Sequence, residues 1–548
     1  MTQRVRRPYT RRIVSWSRRA IMFALCALLL ERWIERALHS TMFELASVAR
    51  GVPPGSYALQ RSDNRASSPP SAFLSAARIP RALCLRTPAS VSPRTAAAVA
   101  SYARMHRGAI RTIKLHEAGG VGAEALRGGP RKALPRLLVY TANPAAGLGN
   151  RINGLLSSFV LALATGRILL LDMPVARFGE QDGEKLGMPV GISSLLRSPF
   201  DKEGGSAAAA RGGVTDGEWD FSVVSALLPR GLPEATVHVR MLHELCDAGM
   251  FDHDAPVLRV QSSKFFGPLL LSNPAYRETL RGVFDLDDAP AAANPDTTSL
   301  FFALSAALLR PVPVLCDRIR AYVSRNFDSP ASDAGGGTPF VVGLQVRGGV
   351  RGFAWNLVAN GTHIACLRDV VERAGSKRAG RPVRVFVASD STAVRDRAVA
   401  AVEKVFGHGT ALTLRKSTAV AGRDTVQGQH DAMVDLYLLA SCDALIVSPM
   451  STFGATAAGL GDRVPNVVRV GDLASLKRQQ SRWSSPGQRF CTVGLSAEPC
   501  MHLQGVGCAG PVHAPRCTHA LGLLPRTRCF DAQTMRFPGQ LNCYAHSM

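Results

Sequence analysis

The stretch Leu137–Asp172, which reads LLVYTANPAAGLGNRINGLLSSFVLALATGRILLLD, decides the fold class of this 548-residue chain. An apolar run of strand length at 137–141 precedes a glycine-rich turn, and apolar residues then recur at helical spacing over about 150–164. The pair Thr165-Gly166 ends the predicted helix, and a second apolar strand follows it. This order of strand, helix and strand is half of a parallel α/β layer.

The turn between the first strand and the helix is a candidate anion site. Its residues are Gly147, Leu148, Gly149, Asn150 and Arg151. Glycines allow the backbone to approach a ligand closely, and the free N–H groups of the following helix favour a phosphate or pyrophosphate. The spacing matches neither the dinucleotide-binding nor the P-loop motif, and an ordinary tight turn explains the glycines equally well. The turn alone therefore leaves both interpretations open.

Composition limits the partners. The formal net charge is +24, but the arginines are spread along the whole chain, and aromatic residues make up only 6% of it. Proteins that bind nucleic acid usually concentrate basic residues on one surface and often add aromatic stacking platforms. We therefore expect no nucleic-acid partner, and we attribute part of the charge to affinity for anionic ligands.

The first 130 residues predict targeting and a spacer. Seven arginines precede an eleven-residue apolar run, Ala20–Leu30, which is shorter than the roughly 17–25 residues of a membrane span unless flanking residues extend it. The pattern favours a cytosolic tail at 1–13, a signal anchor at 14–36 and a luminal body; a cleaved signal peptide or a transit peptide is the alternative. Residues 37–130, rich in Ser, Pro, Ala and Arg, are predicted to form a stem.

The remaining chain predicts two α/β halves, at 131–335 and 336–548, with a cleft between them. In the second half, strands are expected at 340–346, 384–388, 411–414 and 444–448, and helices at 392–406, 429–441 and 452–460. Regular alternation of strands and helices is typical of a parallel sheet covered on both faces.

Three strand ends of the second half carry candidate ligand-binding residues, because ligands bind beyond the carboxyl ends of such strands. Arg347, followed by two glycines, offers a guanidinium fork to a diphosphate. Asp390 either contacts a ribose or base or caps the next helix. The third group offers hydroxyl and N–H groups to a phosphate, although its hydroxyls also suit helix caps; its members are Ser448, Ser451, Thr452, Phe453 and Gly454.

Metal, disulfide and glycosylation signals are weaker. Asp285 and Asp287 form a D-x-D, which holds a divalent ion in some sugar-nucleotide transferases but is also a common solvated acidic turn. Six late cysteines lie too far apart for zinc knuckles, so a disulfide-linked C-terminal segment is favoured over a zinc site with His502, His513 and His519; they are Cys491, Cys500, Cys508, Cys517, Cys529 and Cys543. Asn360 begins a glycosylation sequon.

Taken together, these motifs resemble the plant-type fucosyltransferases, the family that includes xyloglucan fucosyltransferase. The resemblance covers about 135–510 in separated blocks, which include GLGNR at 147–151, GLQVR at 343–347, DLYLLASCD at 435–443 and SPMSTFGATAAGLG at 448–461. Glu498-Pro499-Cys500-Met501-His502, followed by Cys508, is similar to that family's C-terminal cysteine element. The shared order of the blocks makes the resemblance more specific than any one of them.

The resemblance implies a GT-B-like fold of two Rossmann-like halves, GDP-fucose as donor, a glycan acceptor, inversion at the fucose anomeric carbon and no required metal. It also implies an α-1,2-fucosyltransferase anchored in the Golgi membrane as a single-pass type II protein. Arg347 would neutralise the leaving diphosphate as the catalytic residue. The turn residues Gly147, Gly149, Asn150 and Arg151 would face the donor across the cleft.

Two positions depart from the pattern of the wider group. Gln345 stands where related enzymes have a histidine, and Gly349 stands where an acidic residue is common. The departures leave the general base unassigned, with Asp390, Asp431 and Asp435 as candidates. They also motivate one alternative, a non-catalytic protein that binds glycan or nucleotide. Another GDP-fucose transferase, of protein O-fucosyl or α-1,6 type, is the second alternative.

Overall fold

A computed structural model of the chain describes the following residues, all within one compact unit, Ser75–Met548: 92–117, 134–143, 146–173, 192–201, 217–229, 232–239, 251, 253–284, 299–329, 337–348, 361–375, 380–414, 425–449, 451–468, 490–493 and 497–499. The predicted tail and anchor, the D-x-D, Asn360 and the five cysteines after Cys491 lie outside these ranges. Among the described helices, none combines the length and the apolar character that a membrane crossing requires.

The described part contains eleven α-helices and twelve strands. The helices are α1 (Pro93–Glu117), α2 (Leu148–Thr165), α3 (Phe221–Val224), α4 (Gly267–Ser272), α5 (Pro274–Arg281), α6 (Leu300–Leu308), α7 (Pro313–Val323), α8 (Thr362–Arg373), α9 (Thr392–Phe406), α10 (Val426–Ala440) and α11 (Thr452–Gly461). The strands are β1 (Leu137–Thr141), β2 (Ile168–Asp172), β3 (Leu196–Arg197), β4 (Glu234–His238), β5 (Val257–Gln261), β6 (Arg310–Pro311), β7 (Phe340–Val346), β8 (Val383–Ser389), β9 (Ala411–Leu412), β10 (Ala444–Val447), β11 (Asn466–Val468) and β12 (Cys491–Val493).

The first sheet is parallel throughout and has the strand order β2-β1-β5-β4. Helix α2 connects β1 to β2 and ends at Gly166, which adopts the left-handed conformation (φ 62°) that glycine accepts at little cost. Gly154 allows α2 to pack closely on the sheet, because a Cβ there would lie 2.4 Å from the Tyr140 hydroxyl and from the Ser262 carbonyl oxygen.

The second sheet has the order β12-β11-β10-β7-β8-β9, and only the edge strand β12 is antiparallel. From β7 the chain adds β8 and β9 on one side, and then returns to add β10 and β11 on the other. The order therefore reverses between β7 and β10, and such a reversal opens a crevice at the carboxyl ends of the two strands. Residues 347–348 and 448–454 follow these two ends.

The two sheets share one apolar layer. The largest cluster of buried side chains joins the inner faces of both sheets through α2, α6, α7, α10 and α11, and it includes Phe159, Phe301 and Tyr437. Helices α8 and α9 cover the outer face of the second sheet, and α1 and α3 cover that of the first. These layers confirm the predicted α/β class with parallel sheets.

Helix α1 lies within the predicted stem, yet it packs against the first sheet. The Tyr102 hydroxyl accepts a hydrogen bond from the N–H of Leu169 (2.7 Å) and donates one to the carbonyl of Arg167 (2.9 Å). His106 Nε2 lies 3.0 Å from the Leu169 carbonyl oxygen, and burial lowers the pKa of His106 to about 4, so that its ring is neutral at pH 7. Because β2 is an edge strand, these side chains satisfy backbone groups that a further strand would otherwise pair. Pro93–Glu117 therefore packs on the first sheet, although it lies in the segment predicted to form the stem.

Replacing Tyr102 by Phe is expected to lower the free energy of unfolding by about 1–3 kcal/mol, because two buried backbone groups lose their partner. Tyr322→Phe is the control, since the Tyr322 ring also packs in an aromatic cluster while its hydroxyl makes no hydrogen bond in the described part of the chain. Chemical denaturation of the full chain measures both changes. Equal losses in the two variants would contradict the role assigned to the Tyr102 hydroxyl.

Candidate active site

The N-termini of α2 and α11 meet where the two halves of the chain face each other. A Cβ at Gly149 would lie only 2.9 Å from Phe453 N and from the carbonyl group of Thr452, so glycine is needed for this contact. One turn further, the Thr456 hydroxyl is 3.2 Å from the Asn153 Oδ1 atom. The two helices therefore run side by side in the same direction, with their N-termini at the same end.

The paired N-termini form an electropositive region. Both helices begin at carboxyl ends of parallel strands, and neither has an acidic residue in its first turn. Gly147 precedes α2 without a side-chain cap among the described contacts, and Ser451 caps α11 by accepting from Gly454 N at 3.4 Å. Parallel helix dipoles place two partial positive charges together, and an anion at this end relieves their repulsion.

Arg347 lies beside these N-termini, at the end of β7. Its backbone N–H donates to the Ser448 hydroxyl oxygen at 2.9 Å, and Ser451 N donates to the Ser448 carbonyl at 3.3 Å, so that the loop before α11 adjoins Arg347. The side chain is about half exposed. The next residue, Gly348, has to be a glycine, because a Cβ at that position would be 2.5 Å from the Ser391 Cβ atom. A half-exposed arginine side chain thus begins at the strand reversal of the second sheet.

Asp390 contacts the Arg347 loop from the side opposite Ser448. Its Oδ1 accepts from Gly348 N at 2.6 Å, and its Oδ2 is 3.8 Å from Arg347 Nε. The alternative that Asp390 caps α9 is wrong, since Ser391 caps that helix through Val394 N. A contact between Asp390 and the donor stays a prediction.

The residues predicted at 448–454 are placed together, but most of their side chains face inward. Ser448 and Ser451 are buried and Thr452 is nearly so, while Phe453 is half-buried against the shared core. Gly454 leaves room for the Gln345 side chain, whose Oε1 would be 2.8 Å from a Cβ at that position. This segment therefore offers a ligand backbone N–H groups rather than hydroxyls.

The turn before α2 has the predicted location but differs in detail. Arg151 is only 2% exposed, and its Nε donates to the Ala146 carbonyl at 2.8 Å. Burial lowers the pKa of its guanidinium. Arg151 thus stabilises the turn from beneath instead of presenting its charge at the surface, which corrects the expectation that it faces the donor. The Asn150 Oδ1 atom is buried and accepts no hydrogen bond from any described residue.

The sequence did not single out His363, which lies 3.1 Å from the Ser448 hydroxyl through its Nε2 atom. It is 2% exposed in the first turn of α8, a helix that begins after Gly361 without a side-chain cap. A single histidine in the first turn of a helix that has no capping side chain forms no recognisable sequence motif.

A disulfide of the described residues lies three residues further on, where Cys366 is bonded to Cys491. The expectation that Cys491 pairs within the C-terminal segment is therefore wrong.

Neither buried carboxylate that was considered as a general base is available. Asp431 is 1% exposed, and its Oδ1 lies 2.6 Å from an Arg318 guanidinium nitrogen and 2.7 Å from Gln427 Nε2. Asp435 is also buried.

The described residues contain no group of three or more His, Cys, Asp or Glu side chains that could hold a metal ion.

An arginine and two helix N-termini at a strand reversal are typical of α/β proteins that bind phosphate-bearing ligands. Within that class the chain resembles the plant-type fucosyltransferases, as its motifs predict. It is 24% identical over 432 residues to a galactoside 2-alpha-L-fucosyltransferase of Arabidopsis thaliana and 24% identical over 418 residues to one of Pisum sativum. The matches cover 71% and 70% of this chain, and 69% and 66% of those relatives.

Another relative is a probable fucosyltransferase 7 of Arabidopsis thaliana, 24% identical over 386 residues, which are 65% of each chain. No family model matches the sequence. Among solved structures, a mutant of Arabidopsis thaliana FUT1 in complex with GDP has a TM-score of 0.43 at 18% identity, covering 75% of this chain and 84% of that one. The fucosyltransferase NodZ from Bradyrhizobium has a TM-score of 0.36 at 19% identity, covering 61% and 94%. Both scores are below 0.5, so the fold assignment rests on this chain's own strand order.

Replacing Gly149 by Ala is expected to lower the free energy of unfolding by about 1–3 kcal/mol, since the new methyl group overlaps the backbone at 452–453. Gly147→Ala is the matched control, because no atom of the described residues lies within 4 Å of a Cβ at that position and its φ of −69° suits any residue. Chemical denaturation measures both. If Gly149→Ala were as stable as Gly147→Ala, the close contact between α2 and α11 would be refuted.

Proposed function

We propose that this protein is an inverting fucosyltransferase that moves L-fucose from GDP-fucose to a glycan hydroxyl in an α-1,2 linkage. The observation that carries the proposal is the half-exposed Arg347, whose backbone is bonded to the loop that leads into the paired N-termini of α2 and α11. This arrangement suits a diphosphate, which is the charged part of the donor. The similarity to two galactoside 2-alpha-L-fucosyltransferases supplies the sugar and the linkage.

In this reaction the acceptor oxygen attacks the fucose anomeric carbon, and the bond from that carbon to the β-phosphate oxygen breaks. The electron pair leaves with GDP, and the proton of the acceptor hydroxyl passes to a base or to water. Negative charge therefore grows on the diphosphate in the transition state. Arg347 and the helix N–H groups stabilise that charge with dipoles already in place, so that little reorganisation is needed.

The same positive groups would remove the need for a divalent ion, because a guanidinium can neutralise a leaving diphosphate. Turnover is accordingly expected to persist in EDTA. Loss of turnover on chelation and its recovery with manganese would overturn this part of the proposal and favour Asp285 and Asp287 as metal ligands.

The parallel sheets suit a GT-B-like arrangement of two Rossmann-like halves, with the donor at the second. We also place the protein in the Golgi membrane, with its body in the lumen. The arginine-rich N-terminus and the apolar run after it support this topology, and so does the Cys366–Cys491 disulfide, which suits an oxidising compartment. Protease protection of the body in sealed membrane vesicles tests it, and digestion without detergent would refute it.

Arg347→Ala is expected to lower kcat for GDP-fucose by about 10²–10³-fold, as the loss of a preorganised charge at the leaving group does. Arg347→Lys is expected to retain part of the rate, because it keeps the charge but loses the planar fork. Steady-state turnover by the full chain, with a galactose-terminated glycan as acceptor, measures both. Arg320→Ala is the control, since Arg320 has the same side-chain exposure (47%, against 48% for Arg347) and lies on α7.

Three outcomes separate the alternatives. Full activity in Arg347→Ala would remove that residue from its role. Transfer to a protein hydroxyl or a 6-hydroxyl, but not to a 2-hydroxyl, would favour another GDP-fucose transferase. Binding of GDP without transfer or hydrolysis of GDP-fucose would indicate a non-catalytic binding protein.

A further inference from the structure

Three buried side chains form a hydrogen-bonded row behind the Arg347 loop. Gln345, Ser448 and His363 are 4%, 1% and 2% exposed. The Ser448 hydroxyl oxygen lies 2.9 Å from Arg347 N, 3.2 Å from the Gln345 carbonyl oxygen and 3.1 Å from His363 Nε2. The Gln345 Oε1 atom accepts from Ser448 N at 3.2 Å. The row connects α8 to the backbone of Arg347.

The Ser448 hydroxyl makes three of these contacts through one group. A hydroxyl has one proton to donate and two lone pairs that accept, and Arg347 N–H occupies one lone pair. With His363 Nε2 protonated, His363 donates to the second lone pair and the hydroxyl proton goes to the Gln345 carbonyl. With Nε2 unprotonated, His363 accepts the hydroxyl proton instead. In both tautomers His363 is bonded to the Ser448 hydroxyl and restricts its rotation.

The Ser448 hydroxyl accepts the hydrogen bond from Arg347 N–H because the backbone pairing of β7 with β10 ends before Arg347. The pairing of β10 with β7 ends at Val447, opposite Gln345. Beyond this point a serine hydroxyl, rather than a backbone carbonyl, accepts from Arg347 N–H. A hydroxyl can rotate about its Cα–Cβ bond, whereas a backbone carbonyl cannot. The position of Arg347 thus depends on what holds the hydroxyl.

His363 is in position to restrict the rotation of the Ser448 hydroxyl. Its ring lies in the first turn of α8, and Cys366, in the next turn, is joined through its disulfide to Cys491 on the edge strand β12. On the opposite side of the loop, Asp390 is about two-fifths exposed and binds Gly348 N. The loop is therefore fixed from within by His363 through Ser448, and from outside by a solvated carboxylate.

We propose that His363 is a positioning residue for transfer: it orients Ser448, which in turn sets the backbone of Arg347 and aims the guanidinium at the leaving diphosphate. The proposal rests on the function assigned to Arg347 above. His363 contacts neither donor nor acceptor. A displacement of about 1 Å at a catalytic group can cost roughly a hundredfold in rate, which is why a buried ring behind the loop affects turnover.

His363→Leu in the full chain is expected to lower kcat for GDP-fucose by at least about tenfold while changing the donor KM by less than about threefold, because a misplaced Arg347 loses most where charge develops. His363→Gln is expected to recover most of kcat, because its amide can donate from near the Nε2 position. His106→Leu is the control. It removes another buried ring that bonds a backbone carbonyl, so it is expected to reduce stability and leave kcat unchanged.

A double-mutant cycle tests the route through Ser448. Once Ser448→Ala has removed the hydroxyl, His363→Leu is expected to cause little further loss of kcat, because residues that act in series are not additive. Two independent losses that multiply would show that His363 acts on the site by another route and would overturn the proposal.

Hydrogen–deuterium exchange of residues 340–348 provides a readout without catalysis. His363→Leu is expected to accelerate exchange in this segment, whereas His363→Gln and His106→Leu leave it as in the unmodified chain. If the unmodified chain turns over GDP-fucose and His363→Leu matches it in kcat and in exchange, the proposal is overturned. If the unmodified chain does not turn over GDP-fucose, the proposed function fails, and unchanged exchange in His363→Leu would separately refute the positioning role.

Discussion

The close parallel contact between α2 and α11 is the constraint on which the candidate site depends. Gly149 has no side chain, and this lets the first turn of α2 approach the backbone of Thr452 and Phe453. Because each helix starts at the carboxyl end of a strand from a different sheet, the contact brings those two ends together. Like dipole ends repel each other, and packing in the shared core must offset this repulsion. An anion bound at the two N-termini would reduce it, so the site favours an anion.

The Arg347 loop adds a full charge to these partial ones. Its backbone is held by Ser448 on one side and by Asp390 on the other, so the guanidinium has a defined starting point. Asp390 also lies 3.8 Å from Arg347 Nε, which gives the cation a partner in the absence of a diphosphate. The carboxylate is exposed enough for solvent to weaken that ion pair, and a doubly charged ligand can replace it at low cost.

Local patterns predicted the α/β layers well and the side-chain environments poorly. Strand β1 and helix α9 have the predicted bounds, since apolar periodicity and turn residues act over a few positions. Helix α1 was assigned to the stem because its low apolar content hides the buried contacts of Tyr102. Arg151 was expected to face the donor across the cleft, but tertiary packing buries it. The pairing of Cys366 with Cys491 across 125 residues, and the contact of His363 with Ser448, are set by topology, which spacing in the sequence does not encode.

The central claim is that the strand reversal of the second sheet binds a diphosphate between Arg347 and the N-termini of α2 and α11. A crystal structure of the full chain with GDP tests it most directly. We expect the β-phosphate within hydrogen-bond distance of the Arg347 guanidinium and of backbone N–H groups at 452–453, with the Arg347–Asp390 ion pair lengthened. A diphosphate bound elsewhere, with Arg347 still paired to Asp390, would contradict it.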